Sequence, residues 1–300
     1  MPKLQVLALA RNRLSGDVPA SIFYNTSAAG SSSLRIVQLG YNEFAGLALP
    51  PQGQHASTAL RVLDLKENRL TGDFPAWFTN ATGLTVLDLS GNTISGSLPP
   101  EIDRFASLQE LRLGRNSMAG VIPANLGNLS KLQTISLYGN KISGSIPDEL
   151  MKLSNLTTLD LAGNDISGEI PSTIGDLAGL QTLNLSKNGF SGGIPAEIGR
   201  LLNLKVLSLS YNNITGEIPA DLANCSNLTV QLRYNHLSGP IPEDLARLSA
   251  LVELDLGQNN LSGNIPPDIS NCTSLVTLWT ATISPAIFQI RSPIFRSSRR

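Results

Sequence analysis

Apolar residues recur along this chain at a fixed spacing, and the same asparagine, glycine and proline positions interrupt them each time. The segment from Leu180 to Pro195 shows the unit in full, as Leu-x-x-Leu-x-Leu-x-x-Asn-x-Phe-x-Gly-x-Ile-Pro. A period of this regularity indicates stacked repeats rather than a domain built around a single core. The asparagine of the unit occurs eleven times, mostly every 24 residues, at Asn12, Asn42, Asn68, Asn92, Asn116, Asn140, Asn164, Asn188, Asn212, Asn235 and Asn259.

Physical chemistry accounts for each residue type in this unit. The leucines of a Leu-x-Leu pair point to the same side of a short strand, while the residue between them faces the other way. One turn of chain cannot bury its leucines alone, so the strands of successive turns stack in parallel and share a core. Asparagine can bond backbone groups where the chain bends, and glycine and proline shape the segment that follows. The remaining residues, such as 195–200, suffice for a short helical turn on the opposite side.

The repeat resembles that of the leucine-rich repeat family. Its Leu-x-Gly-x-Ile-Pro segment resembles the plant extracellular class, found in receptor-like kinase ectodomains, receptor-like proteins and polygalacturonase-inhibiting proteins. The resemblance covers roughly residues 4–278. It implies an α/β repeat fold, a right-handed leucine-rich repeat solenoid with a parallel concave β-sheet, short convex helical turns and an additional sheet near the Gly-x-Ile-Pro segments. We therefore assign residues 1–280 to a solenoid of about eleven repeats and residues 281–300 to an irregular basic tail.

The frame is interrupted at a few places. A Ser/Ala/Gly-rich insertion at 24–33 predicts a surface loop. The repeat containing Leu228 and Leu232 is one residue short and lacks its middle leucine, which predicts an irregular strand. Both ends lack the cysteine-paired caps of related proteins, and uncapped leucines would face water. These features favour a fragment of a longer protein over a complete module.

Composition and charge narrow the function. The formal net charge is −1, so no general attraction to nucleic acid is expected. We expect neither a transmembrane segment nor a signal peptide, because the required apolar runs are missing. The sequence contains no phosphate-binding glycine loop, kinase motif or nucleophile elbow, and we predict neither catalysis nor a cofactor.

The few cysteine and histidine residues provide no zinc cluster and no disulfide framework. Cys225 and Cys272 occupy the same repeat position two turns apart, at least about 10 Å from each other given the spacing of strands. A disulfide needs a shorter separation. We therefore expect two buried free thiols.

The outward positions of the concave strands form the predicted binding surface, because they vary within a constant frame. Charged residues in the earlier repeats and polar and tyrosine residues in the later ones would suit an extended peptide or a protein partner. The candidate ligand-binding residues are Asp64, Lys66, Glu67, Asp88, Glu110, Arg112, Arg115, Tyr138, Asp160, Asn184, Tyr211, Arg233 and Tyr234.

Asn-x-Ser/Thr sequons are numerous, which fits an extracellular protein. The candidate glycosylation sites are Asn80, Asn128, Asn155, Asn213, Asn224, Asn260 and Asn271.

Together with the resemblance, these features favour a non-catalytic recognition module at the extracellular face of the plasma membrane. It would resemble the ligand-binding region of a plant receptor-like serine/threonine kinase, whose separate kinase domain this chain lacks. Its partners would be a peptide or protein ligand and possibly a co-receptor. A secreted inhibitor resembling polygalacturonase-inhibiting proteins is one alternative, and a truncated decoy or non-functional product is another.

Overall fold

The chain winds into a solenoid of stacked turns. The computed structural model describes residues 4–23, 33–48, 57–226 and 228–279. Of the loop predicted at 24–33, only Ser33 belongs to these residues, and the tail predicted at 281–300 lies outside them. Within the described residues, each turn contributes one strand to a concave sheet, and ten of the twelve turns contribute a short helical segment to the convex side.

Twelve short parallel strands form the concave sheet, each paired with the strands of the neighbouring turns. Leu159 is fully buried at the middle of its strand, between the outward-facing Thr158 and Asp160. It is aligned with Ile135 on one side and Leu183 on the other, and this register turns the sequence repeat into straight columns of side chains. The strands are Val6–Ala8, Ile36–Gln38, Val62–Asp64, Val86–Asp88, Glu110–Arg112, Thr134–Ser136, Thr158–Asp160, Thr182–Asn184, Val206–Ser208, Thr229–Gln231, Glu253–Asp255 and Thr277–Trp279.

Additional strands follow the bend of most turns, as the resemblance implies. Gly120 (φ 82°) and Gly168 (φ 91°) adopt the left-handed conformation that favours glycine at this point. The pairing of the first two strands shifts by one residue after Gly16, which absorbs an extra residue of the second repeat as a bulge. These strands are Ser15–Val18 with Glu43–Leu47, the four strands Ala119–Val121, Lys141–Gly144, Asp165–Glu169 and Gly189–Ser191, and Ser238–Gly239 with Asn260–Leu261.

Short 3-10 helices occupy the convex side, which confirms the predicted helical turns. Most begin directly after the proline of the repeat, as at Pro123 (φ −71°), whose ring fixes φ where the chain enters the helix. The helices are Ala20–Ile22, Ala76–Asn80, Pro100–Arg104, Ala124–Asn128, Asp148–Lys152, Ser172–Asp176, Ala196–Arg200, Ala220–Asn224, Glu243–Arg247 and Pro267–Asn271.

The repeat asparagine joins each turn to the one before it. The amide nitrogen of Asn140 donates to the backbone oxygen of Leu137 in its own turn (2.9 Å) and of Leu113 in the preceding turn (3.0 Å). Its side-chain oxygen accepts from the backbone N–H of Met118 at 3.0 Å. Equivalent bonds recur along the ladder from Asn42 to Asn259. The asparagine thus satisfies the backbone groups that the bend leaves unpaired.

The strand of the shortened repeat is aligned with the preceding strand over its full length but with the next strand over only two residues. The sequence predicts an irregular strand between Leu228 and Leu232, but Thr229–Gln231 aligns with Val206–Ser208 residue for residue. Val230 fills the inward position and is fully buried. The missing residue corresponds to Lys205, which precedes the strand, so the predicted irregularity is confined to the start of the strand, where pairing with the next strand begins only at Val230 and Leu254.

Cys225 and Cys272 are buried free thiols, as predicted. The sulfur of Cys225 lies 3.4 Å from the backbone oxygen of Leu201, and that of Cys272 lies 3.4 Å from the backbone oxygen of Leu245. Burial raises the pKa of the Cys225 thiol to about 11 and also raises the pKa of Cys272. Both residues therefore act as small apolar core residues.

The first turn shows how the burial of one turn depends on its neighbour. Leu9 and Leu14 are 41% and 38% exposed, whereas their counterparts in the next turn, Leu39 and Phe44, are buried. Each turn therefore supplies the cover for the leucines of the turn that follows it.

We predict that Asn164→Ala destabilises the solenoid by about 3 kcal/mol. The substitution leaves the buried N–H of Ile142 unpaired, which is costly. It also removes one of the two amide donors to the backbone oxygens of Leu161 and Leu137, which keep only the bonds from Asn188 and Asn140. Urea unfolding followed by circular dichroism measures the loss. The matched control is Asn203→Ala, which removes one exposed hydrogen bond and should cost less than about 1 kcal/mol. Equal losses in both variants would contradict the role of the ladder.

We also predict that Cys225 makes stability fall at alkaline pH. Its pKa in the folded protein, about 11, lies above the ordinary value of 9.0, so folding favours the neutral thiol. The contribution is complete below the ordinary pKa and is lost as the pH rises through the folded pKa, by at most about 2–3 kcal/mol. Cys225→Ala should show a shallower decline of the free energy of unfolding across this range. The same decline in both proteins would show that the thiol is not protected.

Candidate ligand-binding surface

Four outward positions per turn build the concave surface. Two flank the buried middle residue of the strand, as Val62 and Asp64 do, and we call them the strand positions. Two follow the strand and precede the ladder asparagine, as Lys66 and Glu67 do, and we call them the bend positions. Because the strands are in register, each position forms a column across the turns.

The second bend position adopts positive φ in every turn that has a ladder asparagine. Glycine occupies it at Gly91, Gly139 and Gly163. A side chain in this conformation costs roughly 1–2 kcal/mol, so the backbone is held there by the surrounding bonds of the bend. The residues that carry a side chain there are Arg11, Tyr41, Glu67, Arg115, Lys187, Tyr211, Tyr234 and Gln258.

Seven of the predicted ligand-binding residues come together as a charged patch on three adjacent turns. The ammonium group of Lys66 lies 3.1 Å from Asp64 and 3.8 Å from Asp88 in the next strand. On the third strand, the Glu110 carboxylate accepts from the Arg112 guanidinium at 3.0 Å. The patch comprises Asp64, Lys66, Glu67, Asp88, Glu110, Arg112 and Arg115.

A glycine allows two of these charges to meet across an intervening turn. Arg115 donates to the Glu67 carboxylate at 3.0 Å, although the two residues lie two turns apart. Gly91 stands between them in the same column, and a β-carbon there would lie 2.6 Å from the Glu67 carboxylate. The absence of a side chain at Gly91 therefore makes room for the ion pair.

Burial and charge act in opposite directions on Lys66. Burial alone would lower the pKa of Lys66, but the hydrogen bond to Asp64 and the charges of Asp64 and Asp88 outweigh it and raise the pKa. At Asp160, burial raises the pKa of the carboxyl, and the hydrogen bond from the backbone N–H of Ala162 offsets only part of this effect. Lys66 is thus held as a cation, whereas the surroundings of Asp160 disfavour its charge.

Next to the charged patch, the surface is mostly uncharged and closely packed. The ring of Tyr138 covers Gly114 of the preceding turn so closely that a β-carbon at Gly114 would meet it at 2.3 Å. The strand positions Thr134 and Ser136 are buried and form the floor beside this ring. Asn184 is half-buried and accepts a hydrogen bond from the Ser186 hydroxyl at 2.7 Å. This part of the surface offers a flat floor with one aromatic ring.

Tyrosine and cationic side chains form a second cluster farther along, which we call the tyrosine patch: Lys187, Tyr211, Arg233 and Tyr234. The two tyrosine rings stack with centroids 4.5 Å apart, and they are 45% and 39% exposed. The Arg233 guanidinium lies 4.8 Å from the centre of the Tyr234 ring, and the Lys187 ammonium lies 5.9 Å from that of Tyr211. Exposed tyrosine beside arginine is the composition that dominates binding energy in protein interfaces.

Sequence reasoning misses Tyr41, which lies at the opposite end of the same bend column. Its ring is 41% exposed and lies 4.5 Å from the Arg11 guanidinium and 5.9 Å from the Lys66 ammonium. The signal that could find it is its column, because Tyr41 stands where Tyr211 and Tyr234 stand in later turns.

Two other kinds of site are not found among the described residues. These residues include no group of three or more histidine, cysteine, aspartate or glutamate side chains placed to hold a metal ion. None of their helices is both long and apolar enough to cross a membrane.

Family models match most of the repeat array. The models described as leucine rich repeat, leucine-rich repeat region and Leucine Rich Repeat match residues 58–118, 123–230 and 250–272. The chain is a leucine-rich repeat protein.

This leucine-rich repeat protein has the architecture of plant receptor ectodomains. It is 36% identical to the ectodomain of the Arabidopsis receptor kinase HAESA in complex with an IDA peptide hormone lengthened at its N-terminus, with a TM-score of 0.83 over 92% of this chain and 45% of that one. It is 31% identical to HAESA in complex with IDA and the co-receptor SERK1, with a TM-score of 0.82 over 93% of this chain and 50% of that one. A curated rice relative (Oryza sativa subsp. japonica), the probable inactive leucine-rich repeat receptor kinase XIAO, is 44% identical over 52 residues, or 17% of this chain and 4% of that protein. The chain thus spans at most half the length of these receptor structures and a small part of the curated relative.

The predicted glycosylation sites of this leucine-rich repeat protein are mostly exposed to solvent. Asn80 is half-buried at the end of a convex helix, and the other six are exposed. Asn213 and Asn260 directly follow ladder asparagines, away from the concave strands. Glycosylation itself stays a prediction.

We predict that Gly91→Ala costs more stability than Gly163→Ala. Both glycines have positive φ (67° and 65°), so both substitutions incur the same backbone strain of about 1 kcal/mol. Only at Gly91 does the added methyl group meet the Glu67 carboxylate, which should cost about 0.5–1 kcal/mol more through the lost Glu67–Arg115 pair. Urea unfolding at low and high salt tests this, because only the additional loss should shrink with salt. Identical losses that do not respond to salt would exclude a contribution of this ion pair.

Proposed function

We propose that this chain is the ligand-recognition region of a plant receptor-like serine/threonine kinase and binds an extended peptide or a protein on its concave face. The observation that carries the proposal is the division of each repeat into a constant frame and variable outward columns. Those columns gather ion pairs at Asp64, Glu67 and Glu110 and exposed aromatic rings at Tyr211 and Tyr234. Such a surface offers both charge complementarity and hot-spot residues to a partner.

The similarity to receptor ectodomains supports the kind of ligand. The HAESA ectodomain was solved with a peptide hormone and, in a second structure, with a co-receptor as well. By analogy, one ligand of this chain would be a peptide, and a co-receptor could add a second contact. The exposed sequons fit a location at the extracellular face of the plasma membrane. In this proposal the chain itself is non-catalytic, and phosphoryl transfer belongs to a separate kinase domain of the receptor.

Binding of short synthetic peptides to the secreted, glycosylated chain tests the proposal. Biolayer interferometry against a panel of plant secreted-peptide sequences should identify binders. The double variant Tyr211→Ala/Tyr234→Ala should bind them at least about tenfold more weakly, because truncating exposed aromatic anchors typically costs more than about 1.4 kcal/mol. The matched control is Leu202→Ala, which truncates a 65% exposed apolar side chain beyond the convex helix Ala196–Arg200.

Two outcomes would contradict the proposal. Equal weakening by Leu202→Ala and by the tyrosine double variant would place binding outside the concave face. Inhibition of a pectin-cleaving polygalacturonase, with no peptide bound, would favour the secreted-inhibitor alternative.

A further inference from the structure

A depression of about 340 Å³ opens on the concave face between four adjacent strands. It spans Ile36–Gln38, Val62–Asp64, Val86–Asp88 and Glu110–Arg112. Its volume is at the lower end of those of small-ligand sites, so it suits one side chain better than a whole ligand.

The depression has an apolar strip on one side. Val62 and Val86 occupy the first strand position of neighbouring strands and align directly, and both are half-buried. The equivalent positions in the next turns are Glu110, Thr134 and Thr158. The preceding turns carry Ile36 and Val6 there, so the apolar strip ends at Val86. Its last two residues, Val62 and Val86, line the depression and can receive an aliphatic stem.

Two carboxylates lie beside this strip, and their negative charges are only partly neutralised by nearby cations. Asp64 and Asp88 occupy the second strand position and are aligned across the same pair of strands, an arrangement in which like charges repel. Lys66 is the only cation whose ion pairs reach either of them within the described residues. Glu110 and Arg112 neutralise each other on the neighbouring strand. The depression thus retains about one negative charge.

Asp88 has a carboxylate oxygen that accepts no hydrogen bond from the described residues. It is only 6% exposed, yet it lines the depression. One carboxylate oxygen accepts from the backbone N–H and the hydroxyl of Ser90. The other has Lys66 at 3.8 Å, which is beyond hydrogen-bond distance. A nearly buried carboxylate oxygen with so weak a partner favours a further cationic donor.

We propose that this depression is a specificity pocket for one arginine side chain of a peptide ligand. The methylene stem would lie along Val62 and Val86, and the guanidinium would donate to the free oxygen of Asp88 and to Asp64. Arginine fits better than lysine because its planar group carries several donors and is more weakly hydrated than an ammonium group. In the free protein, the Lys66 ammonium group pairs with Asp64 and Asp88, so it competes with the ligand for these carboxylates. The inference rests on the proposed function, since it names the ligand side chain that the concave face selects.

The tripeptide acetyl-Gly-Arg-Gly-amide is a direct probe, and the same peptide with citrulline in place of arginine is its neutral isostere. Methyl NMR of the full chain should show the Val62 and Val86 resonances shifting with the arginine probe. The citrulline probe should bind at least tenfold more weakly. Equal binding of the two probes, or shifts that avoid both valines, would overturn the pocket.

Two variants with opposite expected effects separate binding from folding. Asp88→Asn can still accept from Ser90 but loses the charge, so affinity for the arginine probe should fall at least tenfold. Lys66→Met removes the internal competitor, so affinity should rise. The matched control, Asp255→Asn, neutralises the same strand position on Glu253–Asp255, outside the depression, and should leave binding unchanged. Unchanged or weaker binding by Lys66→Met would contradict the competition and with it the pocket.

Failure of this inference is distinguishable from failure of the proposed function. Peptides that bind the concave face with no preference for arginine over citrulline would overturn the pocket and leave the recognition role in place. Arginine-probe binding without any peptide binder in the panel would leave the pocket and remove the proposed peptide ligand.

Discussion

The hydrogen bonds of the buried asparagine amide are the constraint on which the rest of this structure depends. At Asn140 the amide pairs one backbone N–H and two backbone oxygens at about 3.0 Å, and each of those oxygens also accepts from the asparagine of a neighbouring turn. No other side chain of this size offers two donors and an acceptor in one plane. Because two of the bonds of Asn140 cross to the preceding turn, the asparagine fixes the relative position of neighbouring turns as well as the local bend. The leucine core supplies the free energy of stacking, and the ladder supplies the register.

This division explains why the concave face is free to carry function. Leucine, asparagine, glycine and proline account for the fold, so the strand and bend positions can vary without disturbing it. Their side chains then interact along columns rather than along the chain, as the Glu67–Arg115 pair across Gly91 illustrates. The left-handed bend position tolerates charged and aromatic residues because the backbone around it is already fixed by the ladder.

The sequence predicts the frame well and the contacts between side chains poorly. Periodicity identifies the strands, the convex turns and the two buried thiols, because each depends on one repeat and its alignment with the next. It does not reveal that Asp88 and Thr134 are nearly buried, or that Tyr138 covers Gly114. Those facts depend on the size of the residue one turn away, which a per-repeat pattern does not contain. The pattern also does not show how far the irregularity of the shortened repeat extends, since a deletion before the strand and a deletion within it look alike in a consensus.

The distance between the two clusters limits what kind of ligand could touch both. Arg115 of the charged patch and Tyr211 of the tyrosine patch occupy the same column four turns apart. At a strand spacing of about 4.8 Å, this separation is roughly 19 Å. An extended peptide covers about 3.4 Å per residue, so roughly six residues would bridge it. Gly139 and Gly163 fill this column between the clusters, so a peptide crossing there would meet no side chain at the second bend position, although the Tyr138 ring lies in the neighbouring column. A short extended peptide bound to both clusters would therefore be recognised mainly at its two ends, with the Tyr138 ring between them.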